Sequence, residues 1–240
     1  MKDSGRYAGE LKKLLNRLGR QYKVSAEVGG HPLTAELILA ALSANTTEAK
    51  ARTALGKLES SFVDHNELRV SRSAEVAEVL GKSFPEARET ARQIIAMLNA
   101  AYEQLDMLSL EHLRDLGKRE AKTWLDSLAG ADAYVVGRVM LRGLGAHAVP
   151  VNQPMLEMLR REEVVDPEAD LPTVQGFLER QISVQEVLRD YQLLREHTDN
   201  PAADKGAKAG SKTKTAAKKT TGKTAETTTK QKTTKKTTKK

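Results

Sequence analysis

One stretch of the chain permits few local folds. Ala121, Trp124, Leu125 and Leu128 fall at i, i+3, i+4 and i+7, one face of a helix. Val135, Val136, Val139, Met140 and Gly143 repeat at the same helical spacing further on. Between the two lies Ala129-Gly130-Ala131-Asp132-Ala133, long enough only for a tight turn, with one glycine to make it. Ala148-Val149-Pro150-Val151-Asn152 then breaks the period, because the residue before a proline favours extended backbone. The local reading is helix, hairpin, helix, and an extended segment that ends at Asn152.

Helical spacing recurs almost everywhere else before residue 201. Leu11, Leu14, Leu15 and Leu18 predict a first helix ending near Gly19. Leu33 to Ala44 reads as a buried helix, and Ala49 to Phe62 as another. Ala74 to Leu80 is short, with Ser73 as its cap. Pro85 suits a helix start, with Ala91, Ile94, Ile95, Leu98 and Tyr102 on one face beyond it. Ser109 is placed to cap a helix from Leu110 to Leu116, and Ser183 with Glu186 reads as a capping box opening a helix through Leu188, Tyr191 and Leu194. No segment alternates as a strand does. The expected fold class is all-α, with about ten helices. Two hundred residues suffice for a substantial core.

The segment from Leu128 to Asn152 resembles the helix-hairpin-helix DNA glycosylases, the endonuclease III superfamily. That family's hairpin reads Leu-Pro-Gly-Val-Gly, followed two residues on by the lysine of its bifunctional enzymes and, eighteen residues later, by an aspartate. Without a gap, the hairpin falls on Leu128 to Asp132, the lysine position on Tyr134 and the aspartate position on Asn152. A second match lies upstream: Leu37 to Glu48, with Leu42-Ser43-Ala44-Asn45-Thr46-Thr47-Glu48, is similar to the family's apolar helix ending in Leu-Ser-Ala-Gln-Thr-Thr-Asp. The resemblance spans about Leu33 to Arg161. It implies two lobes, the middle helices in one and the N-terminal helix with the C-terminal helices in the other, and an active cleft between them. It also implies a DNA face at Asn45, Lys122, Gly130, Ala131, Asp132, Ala133 and Arg138.

Departures from that pattern bear on chemistry. The family's lysine attacks the sugar C1′ as an amine, and the phenol of Tyr134 cannot form the resulting imine. Base-only relatives also lack the lysine, some with tyrosine in its place, so this change alone leaves base release open. Asn152 keeps the shape of an aspartate and lacks its charge. An electrostatic contact made only in the transition state is worth about 3–4 kcal/mol, or roughly 10² to 10³ in rate. Tyr134 and Asn152 are therefore family-equivalent positions without assigned catalytic roles. Asp132 replaces the hairpin's second glycine, where a carboxylate either repels a phosphate or caps the next helix by taking its amides. The chain has no cysteine, so it lacks the four thiolates an iron–sulfur cluster needs, and disulfides and cysteine zinc sites are excluded with them. No metal and no cofactor is expected.

Charge divides the chain at residue 201. Residues 201–240 hold thirteen lysines against Asp204 and Glu226, whereas residues 1–200 carry slightly more acidic than basic side chains. With only Lys, Thr, Ala and Gly dominating from Lys205 onward, the tail has nothing apolar to offset the entropy of ordering and is expected to be disordered. Its lysines, among them Lys218, Lys219, Lys235, Lys236, Lys239 and Lys240, suit DNA binding by counterion release, without sequence preference. The expected division is a helical domain over 1–200 and a basic tail over 201–240. The five histidines show no metal-ligand spacing, and Trp124 reads as core.

No apolar run is long enough to span a membrane, and the first residues carry no apolar signal region. An intracellular monomer associated with nucleoid or chromatin is expected. Three functional readings stay open. The first is a DNA-binding protein on a glycosylase-like fold without excision chemistry. The second is a monofunctional glycosylase with altered residues around Tyr134 and Asn152. The third is an adaptor joining a protein partner to nucleic acid through the tail.

Overall fold

A computed structural model describes residues 3–25, 28 and 30–200. The expected disordered tail, with Lys218, Lys219, Lys235, Lys236, Lys239 and Lys240, lies outside the described residues. All regular structure among the described residues is helical: α1 (Ser4–Gln21), α2 (Leu33–Ser43), α3 (Glu48–Ser61), α4 (His65–Val70), α5 (Ser73–Leu80), α6 (Ala87–Leu105), a 3-10 turn (Glu111–Arg114), α7 (Lys118–Asp126), α8 (Ala133–Arg138), a π turn that prolongs it (Val139–Gly143), α9 (Gln153–Arg161), α10 (Leu171–Gln181) and α11 (Val187–Asp199). None of the described helices is long and apolar enough to cross a membrane.

Helix α2 is the centre of the molecule. Every one of its residues is buried, as expected of a sequence with apolar residues on all sides and a single charge, Glu36. It packs against α3, α6, α8 and the π turn. Helices α4 and α5 pack on α6, and α7 packs on α8, completing one lobe. In the other, α1 packs on α11, while α9 touches both α10 and α11. Helix α1 contributes Leu11, Leu14 and Leu18, all nearly inaccessible, and the two lobes share one continuous apolar core.

Polar side chains cap the starts of several helices. The Thr47 hydroxyl accepts from the Lys50 amide, which starts α3 at Glu48 instead of Ala49. The Asp64 carboxylate accepts from Asn66 and Glu67 at 2.8 and 2.9 Å, and the Asp170 carboxylate accepts from Thr173 at 3.0 Å.

Several sequence expectations are corrected. Ser73 is the first residue of α5, and Arg72 precedes it as the capping position. Ser109 opens no helix. Its segment makes only the 3-10 turn, in which the Glu111 carboxylate accepts from the Leu33 amide at 2.7 Å and from Arg114 Nε at 2.6 Å. Ser183 and Glu186 bond each other at 3.1 Å through their side chains and no backbone amide, so α11 begins only at Val187. Helix α1 runs two residues past Gly19, to Gln21.

Candidate functional site

The turn between α7 and α8 is a tight hairpin held from outside. The Ala131 amide donates to the Leu128 carbonyl at 3.0 Å. Gly130 has φ +90°, and a side-chain carbon on it would press to 3.1 Å from the Gln93 carbonyl of α6, so both conformation and clearance require glycine. Gln93 Nε2 in turn donates to the Gly130 carbonyl at 2.9 Å and to the Asp132 carboxylate at 3.2 Å. The other Asp132 oxygen accepts from the Val135 amide at 2.8 Å and caps α8. Of the two readings of Asp132, the structure displays the cap. A fixed negative charge therefore sits over the first turn of α8, where the dipole and free amides favour an anion. Ala133 is exposed beside it, and Ala131 is half-buried.

One residue past this turn, Tyr134 points inward and is buried. Its hydroxyl lies 3.1 Å from Ser43 Oγ at the end of α2 and accepts from Arg195 Nη1 of α11 at 3.1 Å. Arg195 is nearly inaccessible and donates also to the carbonyls of Ser43 and Thr46. Its Nε faces the Asp199 carboxylate at 3.2 Å, and Asp199 accepts from the Glu48 amide at 2.7 Å. Burial raises the Asp199 carboxyl above its ordinary range, with Arg195 pulling it back. Asn152 caps α9 through its carbonyl oxygen, 3.1 Å from the Met155 amide, and donates through Nδ2 to the Ala44 carbonyl at 2.7 Å. Tyr134 and Asn152 therefore both tie to the C-terminal end of α2, one to Ser43 and the other to Ala44.

Arg138, expected on the DNA face, is instead wholly buried. One helical turn beyond Tyr134 on α8, its Nε lies 3.3 Å from Glu36 Oε1 of α2 and its Nη2 lies 3.0 Å from Glu48 Oε1 of α3. Arg52 reaches the same Glu48 oxygen at 3.0 Å, and Arg142 approaches Glu36 at 3.9 Å. Burial pushes the Glu48 carboxyl up, but the charge and hydrogen bond of Arg138, then Arg52, outweigh it and hold the pKa down at about 2. At Glu36 burial wins over Arg138 and Arg142, and the pKa is raised. Arg138 is held well above its ordinary value: burial opposes its charge, and Glu48 and its other anionic neighbours more than restore it.

The remaining candidates are scattered. Asn45 is exposed and donates to Glu86 at 2.7 Å. Lys122 pairs with Asp126 at 2.6 Å across one turn of α7. Trp124 is half-buried, edge-on to His112 with ring centres 5.2 Å apart. No three His, Asp or Glu side chains stand together as metal ligands among the described residues. Spacing gave no sign of Glu36, Glu48 or Arg195, whose partners lie far off in sequence. Glu36, the one charged residue of the buried α2, was the one available signal.

No protein-family model matches the chain, and no curated protein matches it. Solved structures do. A non-covalent endonuclease III–DNA complex matches with TM-score 0.64 at 15% identity, over 79% of this chain and 85% of that one. The 8-oxoguanine glycosylase/lyase of Clostridium acetobutylicum, in complex with DNA containing cytosine opposite 8-oxoG, gives 0.63 at 16% identity, over 83% of this chain and 71% of that one. The H. pylori 3-methyladenine DNA glycosylase bound to ethenoadenine gives 0.58 at 16% identity, over 83% and 98%. The fold is endonuclease III-like, the architecture of the helix-hairpin-helix DNA glycosylases.

Proposed function

On this endonuclease III-like frame, we propose that the protein binds duplex DNA and releases no base by lysine–aspartate chemistry. One observation carries the reading. The two side chains at the reactive positions are spent on holding helices together: Tyr134 on Ser43 and Arg195, Asn152 on Ala44 and Met155. A phenol offers no amine to the sugar, and a capping amide offers no charge to an oxocarbenium-like transition state. Two of the similar structures are DNA complexes, which supports DNA as the ligand.

The grip is divided between body and tail. At the hairpin, Asp132 already occupies the anion position of α8, so phosphate contact there is weakened. The thirteen lysines of residues 201–240 supply attraction by counterion release. A place on nucleoid or chromatin, with the body reading distorted or damaged duplex, belongs to the same proposal.

The test measures binding of the full chain, and of a chain ending at Asn200, to a duplex bearing an abasic-site analogue and to its intact counterpart across a salt series. Base release from damaged duplex is assayed beside it. The expected result is lesion preference in the shorter chain, a steep salt slope only with the tail present, and no base release. Base release that is lost when a pocket carboxylate is replaced would establish the monofunctional glycosylase instead. Absence of any duplex binding by the full chain at low salt would overturn both.

A further inference from the structure

A groove of about 480 Å³ runs between α1 and the start of α11, closed at one end by the last residues of α10. It is large enough for a small-molecule ligand. Ala8, Lys12 and Leu15 of α1 line one side, and Gln181, Arg189 and Asp190 line the other.

Asp190 lies at the bottom of this groove with its hydrogen bonding incomplete. Its side chain keeps only 8% of its surface, and it borders the groove. Its Oδ1 has one contact, Arg189 Nη1 at 3.4 Å. Its Oδ2 accepts from nothing among the described residues, yet it is not sealed from solvent as the spare nitrogens of Arg138 are. An entering ligand can therefore meet this oxygen directly.

Charge at the groove is incomplete in the same place. A carboxylate withdrawn from water needs a counter-charge as well as hydrogen bonds. Arg189 is half-exposed and divided between two carboxylates, 3.4 Å from Asp190 and 3.9 Å from Glu186. Lys12 is exposed and pairs with no carboxylate among the described residues. Burial holds the Asp190 carboxyl above its ordinary range, Arg189 pulls it back only in part, and Glu186 adds to the rise.

The free oxygen selects the kind of cation. A metal ion takes several oxygen ligands, and no three His, Asp or Glu side chains gather here among the described residues. A guanidinium grips a carboxylate through both oxygens, and Oδ1 already faces Arg189. An ammonium is a compact charge that one oxygen can hold, and Asn16 and Gln181 on the rim carry further acceptor oxygens. Ala8 and Leu15, both half-buried, give the groove apolar surface that suits a carbon chain.

We propose that this groove binds a primary alkylammonium, with the charged head on Asp190 Oδ2 and the carbon chain along Ala8 and Leu15. The inference is independent of DNA binding. The head belongs either to a free aliphatic amine or to a lysine side chain.

The experiment titrates the full chain at neutral pH with pentylamine, with pentanol and with Nα-acetyl-lysine methylamide. The methyl signals of Ala8 and Leu15 and the carboxyl ¹³C signal of Asp190 report from the groove itself. The expected result is saturable movement of these signals by pentylamine and none by the alcohol. As the amine binds, the Asp190 titration should shift down toward its ordinary range, because a bound cation favours the charged form. Asp190→Asn should weaken binding roughly tenfold or more. Lys12→Met should strengthen it about threefold and Glu186→Gln should weaken it about threefold, since each removes one exposed charge, of opposite sign. These two surface changes keep the test decisive where Asp190→Asn does not fold. Tighter binding of the lysine derivative than of pentylamine assigns a protein side chain, and the reverse assigns a free amine. Three results would overturn the proposal: signals that move no further with amine than with alcohol, affinity unchanged in a folded Asp190→Asn chain, or no opposed response from the Lys12 and Glu186 variants.

Discussion

Two successive turns of α8 treat their polar groups in opposite ways. At the first, the Tyr134 hydroxyl has Ser43 and Arg195, and the nearby Asn152 amide has a donor and an acceptor of its own. At the second, Arg138 is more deeply buried, and two of its nitrogens make no hydrogen bond among the described residues, although one of them, Nε, pairs in charge with Glu36. Burial alone therefore does not distinguish structural from functional polarity. The distinction is whether each atom is answered from within the chain. By that measure Tyr134 and Asn152 are answered in full, and Arg138, one turn deeper, is answered in part.

The largest break in this comparison should come from Arg138→Met. It strands Glu36 and Glu48 without their common partner, and removal of one side of a buried ion pair costs about 3–5 kcal/mol. Denaturant unfolding checks this, and adding Glu48→Gln to the same chain should recover part of the loss.

Asn152→Asp should cost about 1–3 kcal/mol, because the new oxygen would face the Ala44 carbonyl where Nδ2 now donates. A carboxylate at this position thus works against this particular fold. A stability unchanged from the parent would show that the Ala44 contact contributes little.

Acid should act on the second turn with a definite sign. The folded Glu48 carboxyl titrates at about 2, below its ordinary 4.5. Its contribution is complete above about pH 4.5 and is lost as the pH falls toward 2. Glu36, raised by burial, has the opposite slope: the protein regains stability as the pH falls through its folded pKa. Glu48→Gln should flatten the stability–pH profile below about pH 4.5, and Glu36→Gln should remove the gain that falling pH brings above about pH 4.5.

The smallest structural effect is expected from Asp132→Gly, since a glycine cap costs only a few tenths of a kcal/mol relative to aspartate. Its value lies in binding. With the carboxylate gone, the amides at the start of α8 are free for a phosphate, and duplex affinity should rise several-fold at constant salt. Unchanged affinity would remove the hairpin from the DNA face.

How far the sequence revealed this follows from the range of the contacts. The hairpin was readable because its turn, its glycine and its capping aspartate lie within five residues, and Asn152 because an extended segment fixed its register. Arg138 looked like an exposed base on an ordinary helix. Its burial depends on Glu48, ninety residues earlier, and nothing local to either residue specifies that pairing. Arg195 is the same case at 152 residues from Ser43. Ser183 failed as a cap because its hydroxyl pairs with the Glu186 side chain instead of a backbone amide.

Helix α2 has no face in contact with solvent. Its amide hydrogens cannot trade with deuterium through fraying or through the slipping of one side, as those of a surface helix do. They exchange only when the lobes around it come apart, so their rate reports the opening of the whole body. Because α2 also presents Ser43 and Ala44 to Tyr134 and Asn152, loosening either contact should speed that exchange along its entire length.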